Sequence, residues 1–147
     1  MGEVFIASDH RGYSAKNRLV SELNDSYTVS DLGPFEENPD DDYNDAAIAV
    51  ARAVKSYGAD ARGIIICGSS HGVAIQANRF KGVRAISGFT PELAKLGREH
   101  NDANVLCLSA DFTDEDGLVN IARTFLETDF SGEERHARRV KRLDEEV

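Results

Sequence analysis

Disulfide-forming residues, long apolar runs and positive charge are all scarce in this chain of 147 residues. Two cysteines, Cys67 and Cys107, are too few for a disulfide scaffold, which points to free thiols and a reducing, cytoplasmic setting. No apolar run approaches the roughly 20 residues of a membrane span. The first residues lack the basic stretch of a secretory signal and soon reach Asp9, so neither a leader nor a membrane anchor is expected. Lysine and arginine number 17 against 26 acidic residues, a formal net charge of -9 with a pI near 4.9. That balance argues against nucleic acid or an anionic membrane as a partner. No grouping of His, Cys and Asp has metal-ligand spacing, and no repeat or low-complexity tract breaks the chain. A single domain over 1–147 is the expectation.

What is present is an alternation of short apolar runs with longer amphipathic segments, the pattern of a parallel α/β sheet. Strands are predicted over 4–7, 27–32, 63–67, 83–86 and 103–108. Residues 63–67, Gly-Ile-Ile-Ile-Cys, are apolar on both faces, as a central parallel strand requires. Helices are predicted over 12–24, 46–57, 73–78, 91–99 and 114–126, and the acidic stretch 35–42 reads as a loop. Residues 132–147 are charged and helical in pattern but have little apolar surface to hold them down. The tail is therefore read as an interaction arm that docks on a second subunit.

In an open parallel sheet, ligands bind beyond the carboxyl ends of the strands. Those ends carry Ser8-Asp9-His10-Arg11-Gly12, then Cys67-Gly68-Ser69-Ser70-His71-Gly72, then Ser109-Ala110-Asp111. Cys67 closes a buried strand and opens a small-residue turn into a helix. The helix N-terminus there would favour thiolate, and the amides that follow can cradle an oxyanion. A thiolate beside such a cradle suits enolisation, in which one group removes a carbon-bound proton and another holds the enediolate. The competing reading is a strand-end cysteine buried beside a tight turn. Asp9-His10 reads either as an acid/base or hydroxyl-binding pair or as a helix cap beside an exposed histidine. His100-Asn101 reads as a functional pair or a helix C-terminus. It precedes the fifth strand, so within one subunit it should face away from the other candidates. The tail carries Arg135, His136, Arg138, Arg139, Lys141 and Arg142, a phosphate-binding cluster or a solvated cationic helix. Residues 68–72 lack the dinucleotide-binding fingerprint.

These segments together resemble the ribose-5-phosphate isomerase B family, which includes the galactose-6-phosphate isomerase subunits. The likeness rests on residues 7–12, Asp31-Leu32-Gly33, residues 63–85, His100 to Leu106 and Arg135 to Val140, in that order. It implies a Rossmann-like α/β sandwich with a five-stranded parallel sheet, and a homodimer or pair of dimers with active sites between subunits. No metal or other cofactor would be needed. Residues from about 131 onward would form a helix docking on the partner. Aldose and ketose phosphates, ribose 5-phosphate and ribulose 5-phosphate by default, would interconvert through a cis-enediolate. By the same likeness Cys67 is the base and Ser69 moves the hydroxyl proton. His100 aids ring opening, and Asp9 handles ring oxygens or hydroxyls. The amides of Gly68 to Gly72 hold the enediolate, with Tyr43 and Asn101 lining the sugar. His10, Arg135 and Arg139 hold phosphate, the arginines from the other chain.

The chain departs from the family pattern in places. Its usual Cys-Gly-Thr-Gly-x-Gly turn becomes Cys67-Gly68-Ser69-Ser70-His71-Gly72, so Ser70 stands where a glycine is expected and predicts a narrowed cradle or a strained backbone. A Gly-x-Arg after the fifth strand is replaced by Ser109-Ala110-Asp111, which reverses a charge. Asp42-Tyr43-Asn44 stands for Asp-Tyr-Pro. These differences bear on which sugar phosphate is used. Hexose, tetrose or other pentose phosphates are the alternative substrates, and a non-catalytic sugar-phosphate-binding module is a third reading.

Overall fold

A computed structural model describes residues 2–147. Five strands form one parallel sheet: β1 (Glu3–Ser8), β2 (Thr28–Asp31), β3 (Arg62–Cys67), β4 (Ala85–Ser87) and β5 (Val105–Ser109), in the order β2-β1-β3-β5-β4. The two strands with helices above and below throughout, β3 and β5, are buried along nearly their whole length, which explains why they read as unbroken apolar runs. Ile64 and Ile66 point to one side of β3 and Ile65 and Cys67 to the other, following the two-residue period of a strand.

Each strand leads into a helix. A single 3-10 turn (His10–Gly12) joins β1 to α1 (Tyr13–Leu23). The others are α2 (Tyr43–Tyr57), α3 (His71–Ala77), α4 (Pro91–Asn101), α5 (Glu115–Glu127) and α6 (Glu134–Leu143). Leu19 and Leu23 of α1, Ala94 of α4 and Leu118, Ile121 and Phe125 of α5 bury one face of the sheet. Ala47, Val50 and Val54 of α2 with Val73 and Ala77 of α3 bury the other. The result is the α/β three-layer sandwich expected from the alternation of apolar and amphipathic segments. None of these helices is long and apolar enough to cross a membrane.

Several boundaries differ from expectation. Helix α2 starts at Tyr43, three residues before the predicted 46, because its first turn is polar and the apolar periodicity begins only at Ala46. The predicted strand over 83–86 is displaced to Ala85–Ser87. Arg84 is instead tied by its amide to the side chain of Asn104 at 2.8 Å and by its guanidinium to Asp144 at 2.9 Å. The tail forms α6 as predicted and is fastened on its own subunit by polar contacts. That same Arg84–Asp144 pair is one, and buried His136 stacked on His100 is another, with ring centroids 4.3 Å apart. Leu143 remains exposed.

Topology fixes where a site can form. The chain leaves β1 toward β2 on one side and returns to β3 on the other, so the crevice at the carboxyl ends of β1 and β3 is the switch point of the sheet.

Candidate active site

Asp9 and Cys67 meet at that crevice. Together with Arg11, Tyr43, Gly68, Ser69, Gly72 and Asp111 they line an open cleft of about 270 Å³. The Asp9 amide donates to the carbonyl of Ile66 at 3.1 Å, binding the end of β1 to the end of β3. One carboxylate oxygen of Asp9 accepts from the amides of Arg11 (3.0 Å) and Gly12 (3.2 Å), so the capping role is realised. Among the described residues, the other oxygen has no hydrogen-bond partner. Burial raises the affinity of Asp9 for a proton, against the pull of those amides.

The turn after Cys67 is built around its sulfur. The Ser70 amide donates to Cys67 Sγ at 3.2 Å. To aim it there, Ser70 takes φ 71° and ψ -13°, the left-handed region that suits glycine. The strain anticipated at this non-glycine position is therefore present. The buried Ser70 hydroxyl donates to Ser87 Oγ at 2.8 Å, and Ser109 Oγ donates to the carbonyl of Gly68 at 2.6 Å, pinning the turn to β4 and β5. A Cβ on Gly72 would stand 2.5 Å from the ring of Tyr43, so glycine there lets that ring close one side of the cleft.

One electrostatic expectation is outweighed by burial. The helix start was expected to favour thiolate at Cys67, yet the thiol is pushed up from its ordinary value. Burial is the largest cause, and the negative charge of Asp9 adds to it. The amides of Ser70, Val73 and Ser69 do point toward the sulfur but offset these effects only in part. Helix α3 has only seven residues, which limits what its dipole can supply. Cys107 is fully buried, its thiol pushed up strongly by burial, and is a core residue.

The other predicted site residues are distributed as follows. His10 stands beside the cleft, held to Asp41 through its Nδ1 at 2.7 Å and its amide at 3.0 Å, and that carboxylate raises its proton affinity. His71 is exposed and turns to the ring of Phe89, edge-on at 6.2 Å, rather than into the cleft. His100 and Asn101 end α4, with Asp102 in left-handed conformation as its C-cap, so the C-terminus reading also holds. They lie at the amino ends of the strands, where Asn104 bonds to Gly63 and Arg84. The five residues of β5, at about 3.3 Å each, put roughly 16 Å between the two ends of the sheet. Arg135 and Arg139 are exposed on α6 at that far end, Arg135 beside Glu133 at 3.1 Å. One subunit thus brings together Asp9, Tyr43, Cys67, Gly68, Ser69 and Gly72, with His10 and Ser70 supporting. It keeps His100, Asn101, Arg135 and Arg139 apart from them.

Two features escaped sequence reasoning. Lys16 is wholly buried on α1, its Nζ 2.9 and 2.8 Å from the carboxylate oxygens of Asp31. The same carboxylate accepts from the Gly33 amide at 2.8 Å, so the pair ties α1 to the end of β2. A lysine at a core position of the α1 pattern was the available signal. The second is Arg11, whose guanidinium pairs with Asp111 inside the cleft.

The model of the family described as Ribose/Galactose Isomerase matches residues 4–143. A ribose-5-phosphate isomerase B from Mycolicibacterium paratuberculosis is 33% identical over 144 residues, 97% of this chain and 89% of that protein. Among solved structures, ribose-5-phosphate isomerase B from Mycoplasma genitalium, with bound ribulose-5-phosphate, superimposes with a TM-score of 0.93 at 40% identity. That match covers 97% of this chain and 93% of the other. A ribose 5-phosphate isomerase from Thermotoga maritima gives 0.91 at 37% identity over 97% of each chain.

Proposed function

The chain belongs to the ribose/galactose isomerase family, and from that premise we propose that it is an aldose–ketose isomerase interconverting ribose 5-phosphate and ribulose 5-phosphate. The observation that carries this reading is a buried cysteine that lines one cleft with Asp9 and Ser69, with a backbone amide held on its sulfur. The relative crystallised with ribulose-5-phosphate supports the choice of substrate.

The thiolate of Cys67 removes the proton from C2 of the open-chain aldose. The resulting cis-enediolate shifts its hydroxyl proton from O2 to O1 through Ser69, and Cys67 returns a proton to C1. The amides of Ser69 and Ser70 serve the sulfur, which leaves those of Gly68 and Gly72 for the enediolate oxygens. A thiol of raised proton affinity is a poor resting base but a strong one when ionised, which suits abstraction from carbon. No step calls on a metal or organic cofactor.

Cys67 and His100 act together only if a second copy brings His100, Asn101, Arg135 and Arg139 to the cleft, so the working form is a homodimer. Exposed Ile75, Phe89, Leu93 and Leu96 lie on the elements flanking the uncovered edge strand β4 and supply apolar surface for that contact. The assembly acts in the cytoplasm, where its thiols stay reduced. Cys67→Ala should remove most turnover while the far-ultraviolet dichroism is unchanged. Mixing Cys67→Ala with His100→Ala subunits should restore activity, because a mixed dimer contains one intact site. Turnover retained in Cys67→Ala sinks the base assignment, and no complementation sinks the shared site. A second reading, the same chemistry on another sugar phosphate, is favoured by Asp111 in the cleft and is read out by a panel of aldose phosphates.

A further inference from the structure

Charges around the Cys67 cleft are unbalanced for a phosphorylated substrate. Of the side chains lining it, Arg11 is cationic and Asp9 and Asp111 are anionic. Arg11 comes from the turn after β1 and Asp111 from the loop after β5, and the two form an ion pair. That pair lies against the residue following Cys67: a Cβ on Gly68 would stand 2.8 Å from Asp111 Oδ2 and 3.0 Å from Arg11 Cδ. Backbone contacts hold Asp111 in place, its amide donating to the Gly68 carbonyl at 3.1 Å. Among the described residues, Arg11 has no such anchor on its side chain beyond Asp111.

We propose that Arg11 is a phosphate-binding residue of this site and that Asp111 competes with the substrate for it. The inference rests on the isomerase reading above. The Arg11 and Asp111 side chains are 56% and 36% exposed, and a solvated ion pair of this kind is weak and readily exchanged. Asp111 takes the guanidinium through one contact, whereas a phosphate can take it through two with more charge, so it displaces the carboxylate. Affinity for the phosphate end is then set by the difference between two partners of one guanidinium. This gives the chain a means of weakening binding without losing the contact.

The test is titration of full-length protein with inorganic phosphate by calorimetry, alongside KM for ribose 5-phosphate. Asp111→Asn should tighten phosphate about 2- to 5-fold, the equivalent of a lost exposed ion pair, and lower KM in proportion. Arg11→Gln should weaken phosphate about 10-fold or more, as loss of a charge-assisted contact does. In the double variant the gain from Asp111→Asn should vanish. A gain that persists without Arg11 would mean Asp111 merely repels phosphate and would overturn the competition. Unchanged phosphate affinity in Arg11→Gln would overturn the contact itself. The phosphate titration reads both outcomes even if the wild-type protein fails to isomerise ribose 5-phosphate, a result that would count against the isomerase reading instead.

Discussion

Replacing Ser70 with glycine and with alanine should reverse the usual stability order of those two residues. Ser70 holds φ 71° in order to aim its amide at Cys67 Sγ. A side chain in that region costs about 1–2 kcal/mol. Both substitutions lose the Ser70–Ser87 hydrogen bond, worth about 1 kcal/mol. Alanine keeps the strain, so Ser70→Ala should be destabilised by about 1 kcal/mol. Glycine releases the strain but loosens the unfolded chain by about 0.4–1 kcal/mol. Ser70→Gly should therefore fall within about 1 kcal/mol of wild type and lie roughly 1 kcal/mol above Ser70→Ala. At an ordinary backbone position alanine would win by about 0.5–1 kcal/mol. Urea unfolding of the three proteins at one concentration, which holds any subunit association fixed, measures this as a gap of about 0.5 M in midpoint. An alanine variant as stable as the glycine variant would refute the claim that the turn is strained to serve the sulfur.

Asp9→Asn should move the pH midpoint of Cys67 alkylation by iodoacetamide downward, because removing a neighbouring negative charge favours thiolate; peptide mapping separates Cys67 from buried Cys107. A midpoint that stays or rises would show that Asp9 does not act on the sulfur. Asp41→Asn should lower the titration midpoint of His10 in proton NMR, since the Asp41 carboxylate is the main cause that raises it. Lys16→Ala should cost about 3–5 kcal/mol in urea unfolding, because it opens a cavity and strips Asp31 of its buried partner. A loss under 1 kcal/mol would mean that the pair holds nothing together.

The sheet was legible because buried parallel strands write themselves as apolar runs, and Val4 to Ala7, Gly63 to Cys67 and the run ending at Leu108 did so. Strand β4 was not placed correctly. Apolar character begins at Val83, but Arg84 is drawn into contacts with Asn104 and Asp144 that are distant in sequence. The cleft residues Asp9, Cys67 and Ser69 were readable from their places at strand ends. The proton affinity of Cys67 was not, because a sequence shows the helix start but not the burial and the Asp9 charge that outweigh it. Lys16 and Arg11 escaped for a similar reason. A lone lysine on an apolar face or an arginine in a turn has no partner until the fold brings Asp31 or Asp111 to it.

The most direct test of the central claim is proton NMR of the purified protein with ribose 5-phosphate in D₂O, with EDTA present. Enolisation through Cys67 predicts ribulose 5-phosphate carrying solvent deuterium at C1, and loss of both product and exchange in Cys67→Ala. Ketose formation or exchange that survives in Cys67→Ala would contradict it.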